Sequence, residues 1–510
     1  MGYVCAVTSV PVTRAFYIFL SGASVQGLES SGSIHDRSPS PSVFCFPTNS
    51  RFSRTFFIDS YSSQMDYLEY AFIVISSSLL LRRAHVKKTR KPRLLEPPKA
   101  IVLESPPYWG QDKWLGGMSS WDGRFIYGVP GSAKEVLCID TETGKSTTLG
   151  GPYIGKFKWL RGVTCPNVVY ALPSNAHTIL RIDPSTQHVS EVGYGAQGNE
   201  KWQWHGGIYN NGHVYAVPCN ATQVLKINAD TDEVELIGGP WEGRHKWYGG
   251  ILASNGCMYC IPQLAGGVLK VNTVTNECTI IGKDLCTEHL TSCPGGGWMW
   301  HGGTATQDGK LIYGIPSNSD YVLKIDTTTD VVTLIGNKLE SGRHRVPQDG
   351  RYKYLGSAMG GDGKMYMFPC DAEQVLCIDP SNDSVTRIGP LFLGTDKSTY
   401  KKGEYPKIQW KKNSETGVVE SITYIGENKW QNGFAARDGC VYAIPQRAPG
   451  ILRIVPNADP NVEAEVGLVL VDETGHEKYE GAVMGNDGCI YCIPLRAKKI
   501  VKLVPGGARE

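Results

Sequence analysis

From residue 113 onward, apolar and polar positions alternate in short runs that recur in a fixed order. One copy reads Lys246-Trp247-Tyr248-Gly249-Gly250, then Asn255-Gly256-Cys257-Met258-Tyr259-Cys260-Ile261-Pro262, then Gly267-Val268-Leu269-Lys270-Val271-Asn272. Short runs of period two, bounded by Gly, Asn, Asp and Pro, predict strands. The first copy predicts four of them, at residues 114–119, 124–129, 136–140 and 146–149. Asp122-Gly123, Asn211-Gly212 and Asn255-Gly256 tolerate the positive φ of a two-residue hairpin, so the first two strands are expected to be antiparallel neighbours. Asp140, Asp183, Asp326 and Asp379 close third strands and read as turn initiators.

Each copy is anchored by an apolar residue, Tyr, two small or apolar residues and Pro. The anchor tyrosines, Tyr127, Tyr170, Tyr215, Tyr259, Tyr313, Tyr366, Tyr442 and Tyr491, lie 43, 45, 44, 54, 53, 76 and 49 residues apart. That spacing is near the period of a propeller blade, about 40–50 residues. The expectation is an all-β β-propeller of eight four-stranded blades, with seven as the alternative because the 76-residue interval leaves room for irregular strands. The last copy stops after its third strand, whereas residues 101–114 read like the end of a repeat. Residues 101–104 are therefore expected to supply the missing outer strand and close the ring, which removes two open edges.

The strand-turn-strand unit Val322-Leu323-Lys324-Ile325-Asp326-Thr327-Thr328-Thr329 through Val332-Thr333-Leu334-Ile335-Gly336 resembles the signature of YVTN or quinoprotein-like β-propellers, over residues 101–506. The resemblance implies the fold. It implies no pyrroloquinoline site, because the tryptophan that quinoprotein repeats place just after this turn is absent. No Trp-Asp closes the third strand as in WD40 repeats, and the spaced Trp of kelch repeats is lacking.

Residues 1–95 have no repeat, are Ser-rich, and hold five acidic against eleven basic residues. They read as a leader before a propeller at 96–506. Residues 67–81 are apolar and precede a basic run, Arg82 to Arg93, but are short for a membrane span and are interrupted by Glu69. A signal anchor, a cleaved organelle-targeting segment and plain disorder stay open. The corresponding locations are the cytoplasm, a single-pass membrane anchorage or an organelle.

A net charge of +2 excludes a globally basic nucleic-acid binder, so electrostatic recognition has to come from local clustering. Fifteen cysteines, many at strand positions, read as buried thiols of a reducing compartment. In the C-x-x-C strings Cys257/Cys260 and Cys489/Cys492, a spacing of three within a strand throws the side chains to opposite faces, against zinc binding. No metal site and no cofactor is expected.

The first strand begins with an aromatic residue in every copy: Trp114, Trp159, Trp204, Trp247, Trp300, Tyr354, Trp430 and Tyr479. Lysine precedes six of them, at Lys113, Lys158, Lys246, Lys353, Lys429 and Lys478. Inner strands line the axis, so this ring is a candidate ligand-binding mouth; alternatively the aromatics wedge between blades under lysine stems. His205 and His301, in matching Trp-x-Trp-His-Gly-Gly strings, are candidate axis-facing residues. Insertions at 278–297, 337–351, 390–421 and 457–478 are expected on the same face, a frequent mark of the binding side of a repeat array. No nucleophile elbow, Walker loop or acid-base pair stands out in the repeats, and no catalytic residue is assigned. The expected function is a non-catalytic, monomeric propeller that binds a protein or other acidic ligand through this face, with nucleic acid as a further candidate and a membrane reached through the leader. The alternative is a lyase or hydrolase acting on a carbohydrate or lactone in the central funnel.

Overall fold

Consecutive apolar side chains in the second run of each copy let that strand bury both faces between neighbouring sheets, and the structure uses this eight times over. It is a computed structural model that describes residues 97–193, 201–294, 296–345, 350–394, 409–412, 414, 419–424, 427–457, 459, 462–471 and 477–507. The leader expected at 1–95, with its segment 67–81, lies outside the described residues. Among the described residues, no helix is long and apolar enough to cross a membrane.

Eight antiparallel four-stranded sheets form blades at residues 114–149, 159–192, 204–237, 247–281, 300–335, 354–388, 430–470 and 479–504, numbered 1 to 8 here. In blades 1 to 7 the strands pair in sequence order from inside outward, and in blade 8 the outermost strand comes from the start of the array. Inner strands of consecutive blades pack on one another around an axis, and blade 8 returns to blade 1. The core consists of one apolar cluster per blade-to-blade interface. Between blades 3 and 4, for example, Tyr215, Val217 and Val224 meet Trp247, Met258, Cys260 and Leu269.

The ring closes as expected, two residues earlier in the chain. Lys99–Val102 is the outer strand of blade 8, with Lys99 opposite Val504 and Val102 opposite Val501. Each C-x-x-C string straddles its strand: Cys257 and Cys260 belong to different clusters, as do Cys489 and Cys492. Asp140, Asp183, Asp326 and Asp379 accept the amide two residues on, each at 2.9 Å, as turn initiators do.

Two expectations need correction. The two-residue hairpin occurs in blade 3, where Asn210 pairs with His213 across Asn211-Gly212. In blade 1 the loop is longer, because the Asp122 carboxylate accepts both the Ser120 hydroxyl (2.5 Å) and the Arg124 amide (3.1 Å) and so builds a wider turn. The insertions also divide between faces. A helix, Lys283–Ser292, and strands Leu391–Gly394, Gln409–Lys412 and Val419–Tyr424 lie between an outer strand and the next inner one. In blade 7, however, Glu465–Leu470 is the outer strand, so the extra length at 456–464 belongs to the opposite face.

Removing residues 97–103 from the chain leaves the Val501–Val504 edge unpaired. The expected loss is on the order of 3–5 kcal/mol of stability, read as a lower urea midpoint together with self-association on size-exclusion chromatography.

Candidate functional site

The lysine and aromatic ring exists, but it faces the blades. Lys113, Lys158, Lys246, Lys353, Lys429 and Lys478 are all at most 5% exposed. The backbone amide that starts each inner strand is bonded to the preceding blade, which turns the lysine stem back under that blade's loop between second and third strands. There the Lys158 ammonium donates to the carbonyls of Gly131 (2.8 Å), Ala133 (2.9 Å) and Gly155 (3.2 Å). Lys113 reaches Leu495 and Ala497, Lys246 reaches Cys219, Lys353 reaches Asn318, and Lys478 reaches Ala448. Trp114, Trp159, Trp204, Trp247, Trp300 and Trp430 are buried too, each donating its indole N–H to a carbonyl of its own blade. Tyr354 and Tyr479 fill the same place in blades 6 and 8. The set expected to meet a ligand is a clasp between blades.

The mouth is lined one position earlier in the chain. Asp112, Phe157, Trp202, His245, Trp298, Tyr352, Asn428 and Glu477 each precede an inner strand's first buried residue, and all eight have φ between 49° and 60°. Their conformation is fixed by neighbours: the Trp202 amide donates to Asn175 Oδ1 (3.0 Å), while the Trp202 carbonyl accepts from the Asn220 amide (3.0 Å). The same pair of bonds holds Tyr352 and Asn428. All eight side chains are half-buried.

This second ring has two unlike halves. Over blades 2 to 6 it is aromatic: Phe157 and Trp202 are 5.1 Å apart, as are His245 and Trp298, and the Arg345 guanidinium lies 5.1 Å above Tyr352. Exposed cations precede four of these residues in the chain, at Lys156, Lys201, Arg244 and Arg351. Leu115, Leu160 and Leu495 form the floor beneath Phe157 and Trp202. Over blades 7, 8 and 1 the mouth is an ion-paired network: Arg447 pairs with Glu427 and with Glu477 (3.3 Å), and Arg496 with Glu477 (2.7 Å) and Asp112 (3.4 Å). Where the halves meet, a pocket of about 220 Å³ opens between Tyr352, Leu355, Asp371, Asn428 and Arg447.

Below the mouth, the second residue of each inner strand meets the axis. His205 and His301 do converge there, bridged by Tyr248, whose ring centre is 3.5 Å from one imidazole and 3.7 Å from the other. Burial, with help from the charge of Arg161, holds both imidazoles well below their usual range and so neutral. Glu480 is fully buried and accepts from Arg161 Nη2 (3.2 Å) and Gln446 Nε2 (3.1 Å). Gln446 also donates to Gln431 (3.0 Å), and Gln431 to Asn428 at the mouth (2.7 Å). Burial outweighs Arg161 and pushes the Glu480 carboxyl up to about 7. Among the described residues, no group of three or more His, Cys, Asp or Glu is placed to hold a metal ion. Sequence reasoning missed Arg161, Asn432 and Glu480. For Arg161 and Asn432 the signal was a departure from the repeat, since they stand where the other six blades have Gly.

No family model and no curated protein matches the chain. Solved structures do. A streptogramin B lyase aligns at 12% identity over 81% of this chain and 99% of that one, with a TM-score of 0.45. The WD40 repeats of RRP9 align at 8% identity over 81% and 100%, with a TM-score of 0.44. A putative 6-phosphogluconolactonase from Bacteroides fragilis aligns at 15% identity over 58% and 96%, with a TM-score of 0.40. The likeness is one of propeller fold, and the fold alone assigns no activity.

Two outcomes are expected from the buried charges. Lys158→Met keeps the stem but takes the ammonium from three carbonyls, of which Gly131 keeps the Lys158 backbone amide, so it lowers stability by about 2–4 kcal/mol in chemical denaturation. Glu480 binds its proton more tightly folded than unfolded, so its contribution to stability is full below about pH 4.5 and is lost as pH rises through about 7. The two imidazoles act in the opposite sense, which makes the difference between wild type and Glu480→Gln the useful readout. Between pH 5 and pH 8 the stability of wild type minus variant falls, by on the order of 3 kcal/mol.

Proposed function

We propose that this protein is a non-catalytic recognition propeller that binds an acidic segment of a partner protein on the aromatic and cationic arc of its mouth. The observation that supports this most directly is the repeated pairing of an exposed cation with a half-buried aromatic at the start of consecutive blades, Lys156-Phe157, Lys201-Trp202 and Arg244-His245. Side chains set at a blade-to-blade spacing suit an extended anionic chain, whose carboxylates meet the cations while its apolar groups lie on the rings. The helix Lys283–Ser292 and the strands inserted between blades 6 and 7 belong to the same face and add to its reach.

The enzyme reading has one observation in its favour, the buried Glu480 poised near neutrality and paired with Arg161, whose charge also bears on two neutral imidazoles. It requires turnover of a lactone or glycoside substrate by the purified chain, abolished in Glu480→Gln.

Recognition at the mouth is tested by tryptophan-fluorescence titration with an acidic peptide, using a single-stranded oligonucleotide as the competing probe. Lys156→Glu, Lys201→Glu and Arg244→Glu combined, and Trp202→Ala separately, are each expected to weaken peptide binding at least tenfold with the folded state intact. Unchanged affinity in both would overturn the proposal, and preference for the oligonucleotide would replace the protein partner with a nucleic acid.

A further inference from the structure

The third residue of every inner strand has a left-handed backbone. Six blades place glycine there, at 116, 206, 249, 302, 356 and 481. Blades 2 and 7 place Arg161 (φ 64°) and Asn432 (φ 54°) instead, in a conformation that disfavours any residue bearing a Cβ. Both side chains are also buried, at 7% and 1% exposure. Among the described residues, the Asn432 amide finds no hydrogen-bond partner for its nitrogen or its oxygen, and Arg161 finds none for Nε. The neighbouring His205 and His301 each leave Nδ1 without one. An otherwise regular array thus accepts two strained residues and several unmet polar atoms in one place, a combination that structural roles alone do not require.

The two departures converge. A Cβ built on Gly481 would lie 3.1 Å from Asn432 Nδ2 and 3.6 Å from Arg161 Nη1, so this glycine leaves clear a spot within reach of both donors. We propose that this spot on the axis is a binding site for a small monovalent anion, the size of formate or nitrate, held by the Arg161 guanidinium and the Asn432 amide over Gly481. The donors set the charge: with both imidazoles neutral, Arg161 is the positive group of the cluster. The same two residues are held in place by close packing on other glycines, since a Cβ on Gly116 would collide with the Arg161 guanidinium and one on Gly356 with the backbone of Asn432.

Glu480 is the competitor. Ionised, it satisfies Arg161; protonated, it leaves that charge to the anion, so binding takes up a proton and tightens as pH falls through about 7. The other charges bearing on Glu480 are Asp112 and Glu477, both paired to Arg496, while His205 and His301 face Arg161 as neutral rings. This site is independent of the reading of the mouth.

The test is the thermal midpoint of the full chain at pH 5.5 and pH 8, titrated with sodium formate and with sodium nitrate against sodium sulfate at matched ionic strength. Formate and nitrate are expected to stabilise beyond the sulfate control, at least tenfold more potently at pH 5.5. Asn432→Gly restores the residue the repeat favours, so its midpoint without anion is expected to equal or exceed that of wild type while the anion response falls at least tenfold. Glu480→Gln is expected to bind at pH 8 as wild type does at pH 5.5. Stabilisation no greater than that by sulfate at either pH would mean that solvent alone fills the spot, and an undiminished response in Asn432→Gly that the anion binds elsewhere; either would overturn the site.

Discussion

One backbone hydrogen bond, repeated around the axis, carries the architecture. The amide that starts each inner strand donates to the carbonyl just after the anchor proline of the preceding blade, from Lys113 to Leu495, Lys158 to Gly131, Gln203 to Ser174, and so on through Lys478 to Gln446. All eight bonds are between 2.8 and 3.2 Å. Lysine is the favoured residue at this point because its ammonium can return to the same loop and satisfy carbonyls that the blade interface hides from water. Where Gln203 replaces it, the side-chain bond to Ala176 stretches to 3.5 Å and the backbone bond remains. The clasp sets the spacing of the blades, and thereby which residues are left to face the mouth and the axis.

Much of this was legible in the chain. The tyrosine-proline anchors gave the number of blades, and the unfinished last repeat gave the closing strand to within two residues. Less legible was where the inner-strand side chains point. Period-two alternation sorts faces only while the backbone stays extended, and here it is broken twice. The residue before each lysine has positive φ without being glycine, so no composition signal marks it. A bulge then interrupts the inner pair two residues after the aromatic, as between Trp247 and Gly250. The two breaks bury Lys246 and Trp247, turn His245 to the mouth and Tyr248 to the axis. His205 and His301 were found because their flanking strings match, whereas Glu480 shares its position with leucines in blades 1, 2 and 6 and could not stand out.

The mouth and the axis differ in how they depart from the repeat. At the mouth a constant backbone geometry presents eight side chains of seven kinds, the usual way a solenoid-like array separates scaffold from recognition. On the axis the scaffold itself is altered, at Arg161 and Asn432, and the change reaches across blades: Arg161 of blade 2 passes Gly116 of blade 1 to meet Glu480 of blade 8. A contact of that span exists only in the closed ring, so whatever the axis does is tied to closure, while the mouth arc over blades 2 to 4 draws its residues from neighbours.

The strand at Lys99–Val102 has a kinetic side as well. It is made before any complete blade, yet the four residues it pairs with, Val501–Val504, follow all seven other sheets in the chain. Until those residues are made its hydrogen-bonding edge stays unmatched, and the first seven sheets can assemble in order behind it while the eighth waits. A chain halted short of Val504 therefore keeps an arc with two sticky ends, and quality control would meet that arc in place of a finished ring.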